Sequence, residues 1–225
     1  MAVRELVLNA DMLLRAYRLG MFPMAETRRS KTLHFLDPDR RGVLPLNGFH
    51  LPRRLYRTLR TTPLVVAANR DFPGLIATCA ASRALRPETW INREIEQLFV
   101  ELHNLGHAHS VEVWDGAQLV GGLYGLAIGG AFFGESMVSL VRDASKLALA
   151  HLVARLRLGG FALLDTQFLT DHLARFGARE VSRATYHELL AEAVALPARW
   201  SNDLDQATIM NDIATMLATN PKDPT

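Results

Sequence analysis

The stretch from His109 to Ser139, "HSVEVWDGAQLVGGLYGLAIGGAFFGESMVS", decides the fold. Its apolar residues recur with a period of two, and Asp115-Gly116 and Gly129-Gly130 supply two tight turns. It reads as three successive antiparallel strands. Upstream, "NREIEQLFVELHNLG" (Asn92–Gly106) sets Ile95, Leu98, Phe99, Leu102 and Leu105 at helical spacing between a capping asparagine and a terminal glycine. Downstream, "DASKLALAHLVARLRLGG" (Asp143–Gly160) reads as a helix, capped by Asp143 and stopped at Gly159. "FALLDTQ" (Phe161–Gln167) is a strand, "LTDHLARFG" a short helix and "AREVS" a short strand. "TYHELLAEAVAL" opens a helix with a Thr-x-x-Glu capping box, Thr185 to Glu188. Helix, meander, helix, strand, helix, strand, helix predicts an α+β fold, a mixed sheet flanked by helices.

Further out the signals shorten. Asn9 caps a helix in "NADMLLRAYRLG", with Leu13, Leu14 and Tyr17 as its stripe and Gly20 as its end. Prolines and charges in "MFPMAETRRSKTLHFLDPDRRGVLPL" predict short strands and loops. Residues 1–50 therefore read as a small N-terminal α/β domain, 51–200 as the main domain and 201–225 as a tail. Pro52 starts a short helix bearing Arg53, Arg54, Arg57 and Arg60, and Asp71 caps another in "DFPGLIATCAA". In the tail, Ile209, Ile213, Met216 and Leu217 line one side of a weak amphipathic helix.

Composition narrows the class. Forty-nine per cent apolar and 21% charged residues describe a folded chain. No apolar run reaches the roughly 18–20 residues of a membrane helix, and the start lacks the pattern of a signal peptide. The one cysteine, Cys79, excludes a disulfide framework and a multi-cysteine zinc site. No metal site is expected; "HAH" (His107–His109) comes closest to metal spacing. A reducing cytoplasm is the expected home. Charge is uneven: residues 1–60 hold 12 Lys and Arg against 5 Asp and Glu, and the rest hold 13 against 18. A basic first quarter suits a polyanion docking surface, or a solvated face that binds nothing.

Two polar features interrupt apolar strands. In "FFGESMVSL", Glu135 shares a strand face with Phe133, Met137 and Ser139. A buried carboxylate needs a partner, and Arg142 or Lys146 would serve a purely structural role. In "FALLDTQ", strict alternation puts Asp165 and Gln167 side by side at the strand's carboxyl end, opposite Leu164. Ligands gather beyond such ends in α/β sheets. A carboxylate beside an amide suits a reaction on an amine, whose ammonium must lose a proton before attack. Capping the next helix is the structural alternative. Phosphate-cradling Gly-x-Gly-x-x-Gly and P-loop patterns are missing, as is the Gly-x-Ser-x-Gly elbow.

The motifs "LLRAYRLGMFPM", "TWINREIEQLFVELHNLGHAHSVEVW", "LVGGLYGLAIGGAFFGESMVS", "DASKLALAHLVARLR" and "LLDTQFLTDHLARFGAREVSRATY" occur in this order. Together, from Leu13 to about Tyr186, they resemble the leucyl/phenylalanyl-tRNA–protein transferases. The resemblance implies a small N-terminal domain joined to a GNAT-like acyltransferase domain, without CoA, metal or nucleotide cofactor. It implies a bacterial cytoplasmic enzyme that takes leucine or phenylalanine, and less readily methionine, from aminoacyl-tRNA. The acceptor it implies is the N-terminal amine of proteins beginning with arginine or lysine, and the product a degradation signal for a Clp protease. Monomer is the default state, with no membrane partner.

Carried over position by position, Asp165 and Gln167 match the family's catalytic pair. Glu135 matches a residue lining the same site, holding the acceptor's cationic end or the terminal adenosine. Trp90 and Phe99 match aromatic contacts to the 3′ adenosine and aminoacyl group. Leu123, Phe132, Leu149, Leu152, Leu156 and Leu164 match the apolar side-chain pocket. The chain departs from the pattern in places: Phe35 or Leu36 stands where many members have a Trp-Trp pair, Val138 and Phe99 where Phe and Tyr are common, and Asp143 where Asn is common. Charge, not resemblance, makes Arg53, Arg54, Arg57 and Arg60 candidate phosphate contacts, with Arg28, Arg29 and Lys31 behind them. Two alternatives stand beside this: a CoA-dependent GNAT-type N-acetyltransferase on the same fold, against which counts the absence of the acetyl-CoA loop Gln/Arg-x-x-Gly-x-Gly/Ala, "VRDASK" standing in its place, and a non-catalytic tRNA-binding module.

Overall fold

The computed structural model describes residues 8–30, 32–81 and 88–218. Its elements are α1 (Ala10–Arg18), β1 (Phe22–Ala25), β2 (Leu33–Leu36), β3 (Arg40–Val43), α2 (Arg53–Thr61), β4 (Val65–Ala68), α3 (Phe72–Ala80) and α4 (Arg93–Asn104). There follow β5 (Ala108–Asp115), β6 (Gln118–Ile128), β7 (Ala131–Ser139), α5 (Ala144–Leu158), β8 (Leu163–Gln167), α6 (Asp171–Ala174), β9 (Arg179–Ser182), α7 (Arg183–Val194) and α8 (Gln206–Ala218). Seven strands form one mixed sheet in the order β4-β5-β6-β7-β8-β3-β9, and β1 and β2 form a two-stranded sheet. The meander pairs antiparallel as its glycine turns require. After the α5 crossover, β8 joins β7 in parallel, as expected for a strand returning after a helix.

The large sheet is covered on both faces. On one, α5 packs with α2 and α8 over Val111, Val113, Leu123 and Leu164. On the other, α1, α3, α4 and α7 enclose Tyr124, Leu126, Phe133 and Leu163. Helix α5 is buried from Ala144 through Leu156 except at Lys146, which explains its apolar residues on every side. Helix α8 forms in the tail and seats Ile209, Ile213 and Met216 in the first of these cores. Arg157 holds it through Asp212 at 3.0 Å.

Residues 1–50 contribute to both sheets. Strand β3 lies between β8 and β9, and α1 and β1 share the core of α3 and α4. Two caps differ from expectation. The Thr185–Glu188 box does not form, because α7 starts directly after β9, and Ser182 Oγ accepts from the Thr185 amide at 3.2 Å. Asp143 occupies the cap position of α5 in a left-handed conformation, φ 65°, and its carboxylate turns to Lys146 Nζ at 2.6 Å.

Candidate active site

Strands β7 and β8 pair only from Ala131↔Leu163 to Phe133↔Asp165. Beyond that point a cavity of about 480 Å³ opens, lined by Gly134–Met137 from β7, by Leu164, Thr166 and Gln167 from β8 and by Phe168 just after it. Leu123 of β6 and Leu149 and Leu152 of α5 form an apolar wall. Phe22, Met24 and Trp90 add walls from the N-terminal hairpin and the loop before α4. The site thus lies where two parallel strands part, at the carboxyl end of β8.

A bulge shapes the β7 side. Gly125 pairs with Gly134 and Tyr124 with Ser136, so Glu135 has no opposite residue. Bulges re-aim side chains, and here four consecutive residues reach the cavity. A Cβ on Gly125 would strike the Phe133 carbonyl oxygen and the Phe132 ring, so only glycine allows the strands this close. Tyr17 of α1 donates to Glu135 Oε1 at 2.7 Å, and Gln167 Nε2 approaches the same oxygen at 3.4 Å. Burial pushes the Glu135 carboxyl up to about 8, against the Tyr17 bond, which favours its charged form; Asp165 adds to the rise and Arg41 opposes it. The expected partners Arg142 and Lys146 are both directed to Asp143 instead.

The β8 side departs from simple alternation. Asp165 is fully buried and absent from the described cavity wall. Arg41 of β3 donates to it twice, Nε to Oδ1 at 3.0 Å and Nη2 to Oδ2 at 2.7 Å. Tyr186 of α7 donates to Oδ2 at 2.8 Å, and the Gln167 amide to Oδ1 at 2.8 Å. Four donors fill the four acceptor positions of a carboxylate. Arg41 is itself fully buried. Its guanidinium lies 4.5 Å from the Phe22 ring centre and 4.4 Å from that of Tyr186, and its Nη1 donates to the Gly20 carbonyl at 3.0 Å. Burial pushes the Tyr17 and Tyr186 phenols up, so both serve as hydrogen-bond donors.

Gln167 reaches the cavity because its backbone is left-handed, φ 56°. For a non-glycine residue that conformation costs about 1–3 kcal/mol and needs surrounding structure to hold it. The bond from its amide to Asp165 supplies part of that hold. Asp165 and Gln167 therefore do not project side by side. The carboxylate faces the α7 side, and the backbone twist turns only the amide inward.

A family model for leucyl/phenylalanyl-tRNA protein transferases matches residues 43–191. The chain belongs to this family. It is 59% identical over 190 residues to the leucyl/phenylalanyl-tRNA–protein transferase of Phenylobacterium zucineum, covering 84% of this chain and 86% of that one. The corresponding protein of Paramagnetospirillum magneticum is 58% identical over 188 residues, covering 84% and 90%. That of Maricaulis maris is 55% identical over 200 residues, covering 89% and 93%. The family is one of aminoacyl-tRNA–protein transferases.

In this member of the leucyl/phenylalanyl-tRNA–protein transferase family, the cavity gathers Trp90, Leu123, Glu135, Leu149, Leu152, Leu164 and Gln167 from the residues expected there. Besides Asp165, three others lie elsewhere. Phe99 is buried beneath Tyr124, ring centres 5.4 Å apart. Phe132 packs toward Trp200 at 5.7 Å, and Leu156 sits one helical turn beyond Leu152, deep in the α5 core. Arg53, Arg57 and Arg60 flank a shallow groove of about 400 Å³ with Tyr56 and Leu217, and Arg54 is exposed on the same helix. Arg28 is engaged with the Ala80 and Ile91 carbonyls and Glu96; Lys31 lies outside the described residues.

Arg41, Tyr17 and Tyr186 escaped the sequence reading. The one signal was local: "DRRGV" puts two arginines on opposite strand faces, so one had to point inward. Thr166 Oγ1 and His172 Nε2, both in cavity-lining residues, are buried without a partner among the described residues. Burial, with Lys146 and Arg175 nearby, holds the His172 imidazole below its ordinary range.

Proposed function

We propose that this chain moves leucine or phenylalanine, and less readily methionine, from aminoacyl-tRNA to the N-terminal amine of proteins that begin with arginine or lysine. The observation that carries this reading is the juxtaposition in one cavity of an apolar wall, Leu123, Leu149, Leu152 and Leu164, with the polar pair Glu135 and Gln167. The apolar wall suits a leucyl or phenylalanyl side chain, and leakage to methionine follows because a difference of one methylene is worth only about 1–3 kcal/mol. Trp90 offers a face for the terminal adenosine. Its ester is already activated, so the site has to position an amine, free it of a proton and exclude water. The Gln167 amide oxygen accepts a hydrogen bond from the acceptor amine, while Asp165 supports that residue from behind. The arginines of α2 hold tRNA phosphates without reading sequence. The product is a degradation signal for a Clp protease, made in the cytoplasm by a monomer.

Transfer of labelled leucine from leucyl-tRNA to a peptide starting with arginine tests the reading. The expected result is a labelled peptide whose yield falls when the peptide starts with alanine. Absence of transfer by the wild type overturns it.

A further inference from the structure

We propose that Glu135, and not Asp165, takes the proton from the attacking ammonium, and that Arg41 is the positioning residue that withdraws Asp165 from that task. The inference rests on the cavity being the transfer site. Four donors at 2.7–3.0 Å occupy Asp165: Arg41 Nε and Nη2, the Tyr186 hydroxyl and the Gln167 amide. The carboxylate is 0% exposed and has no acceptor position left for an incoming amine.

An amine in the cavity meets Gln167 and Glu135 instead. Gln167 Nε2 is directed to Glu135 Oε1, which leaves the amide oxygen to receive the amine. An amide oxygen orients an N–H but is too weak a base to keep its proton. Glu135 is a carboxyl on the same wall, and Tyr17 and Gln167 both engage Oε1 while Oε2 carries neither bond. The charged and titratable groups around it are Tyr17 from α1, Asp165 from β8 and Arg41 from β3. Tyr124 of β6 and His172 of α6 stand elsewhere on the cavity wall. Arg41 and Asp165 compensate one another, so the nearest carboxyl free to change charge is Glu135. Its affinity for a proton, at about 8, matches that of a peptide α-amine, about 8, so the transfer is close to balanced.

The step balances. The Glu135 carboxylate accepts one proton from the ammonium, giving a free amine and a neutral carboxylic acid. The nitrogen lone pair forms the bond to the ester carbonyl carbon, and the carbonyl pair moves to its oxygen. That pair returns as the bond from carbon to the ribose oxygen breaks. A second proton passes from nitrogen to the ribose oxygen, and the carboxylic acid releases the first to solvent.

Steady-state transfer to two acceptors tests the assignment. One is a peptide starting with arginine. The other is the same peptide with an N-terminal aminooxy group, which is unprotonated at neutral pH. In Glu135→Gln, kcat for the amine peptide is expected to fall by about 100-fold or more, while the aminooxy peptide stays within about threefold of wild type. Equal losses with both acceptors, or a loss confined to the acceptor KM, overturn the proposal. Tyr17→Phe gives a second reading should Glu135→Gln fail to fold. It keeps the carboxyl but removes a bond that favours its charged form, so the rising limb of kcat moves to higher pH. An unmoved limb counts against Glu135. A wild type inactive toward both acceptors removes the proposed function itself, whatever Glu135 does.

Discussion

Arg41 and Asp165 show how a buried ion pair acts through its neighbours. Both side chains are 0% exposed, so removing one leaves the other charge uncompensated, a loss of about 3–5 kcal/mol. Arg41→Met should lower unfolding stability by that order in urea titrations. Arg41→Met/Asp165→Leu should recover most of the stability, because apolar pairs replace buried ion pairs at little cost. Transfer activity should stay low in the double variant, since the Gln167 amide loses the acceptor that holds its left-handed backbone; full activity would show that Asp165 is dispensable to Gln167. Glu135 adds a pH dependence of opposite sense to that of an ion-paired carboxylate. Its folded pKa, about 8, lies above the ordinary value of roughly 4.3 in an unfolded chain. The folded state therefore keeps a proton that the unfolded state has lost, and stability falls as pH rises through that window. Glu135→Gln should flatten the decline in urea midpoint between about pH 5 and pH 8; a wild-type midpoint unchanged over that range would count against the shifted carboxyl. Asp165, Gln167 and Glu135 were all legible in the sequence as polar breaks in apolar strands. Their directions were not. The left-handed residue at Gln167 and the bulge at Glu135 each undo the alternation on which the reading relied.

At the scale of elements, the strongly periodic segments were readable, and so were the short α2, α3, α6 and β9, whereas β4 was not. The meander, α4 and α5 follow from a sustained hydrophobic period and from turn or cap residues, which are local properties. Strand β4 covers only Val65–Ala68 and owes its form to pairing with β5, a long-range partner that no local pattern announces. Helix α7 begins at Arg183 because β9 delivers Ser182 in an extended conformation to cap it. Helix α2 buries Leu55 and Leu59 and turns its arginines outward. If these arginines hold phosphates, Arg57→Ala/Arg60→Ala should raise the tRNA KM and lower the slope of log affinity against log salt by about 1–2. Unchanged affinity and slope would assign the groove to solvent.

Across the whole molecule, the cavity depends on segments far apart in the chain. Strand β3 carries Arg41 to Asp165 across 124 positions, and α1 carries Tyr17 to Glu135 across 118. At the other end, α8 closes the core over α5 and α2. Ile213 is fully buried there, so Ile213→Ala should cost about 2–5 kcal/mol in denaturant unfolding; a loss under about 0.5 kcal/mol, the range of surface substitutions, would show that α8 is not part of the folding unit. Family, fold class and the residues Glu135, Asp165 and Gln167 are inherent in the order of residues, because periodicity, turn chemistry and motif spacing are local or linear properties. Tertiary structure alone assigns these residues their tasks. Which carboxylate is saturated and which faces the cavity depends on partners more than a hundred positions away, on a bulge and on one left-handed residue. Hydrogen bonds to a carboxylate are decided by proximity in space, and proximity exists only once the sheet has assembled.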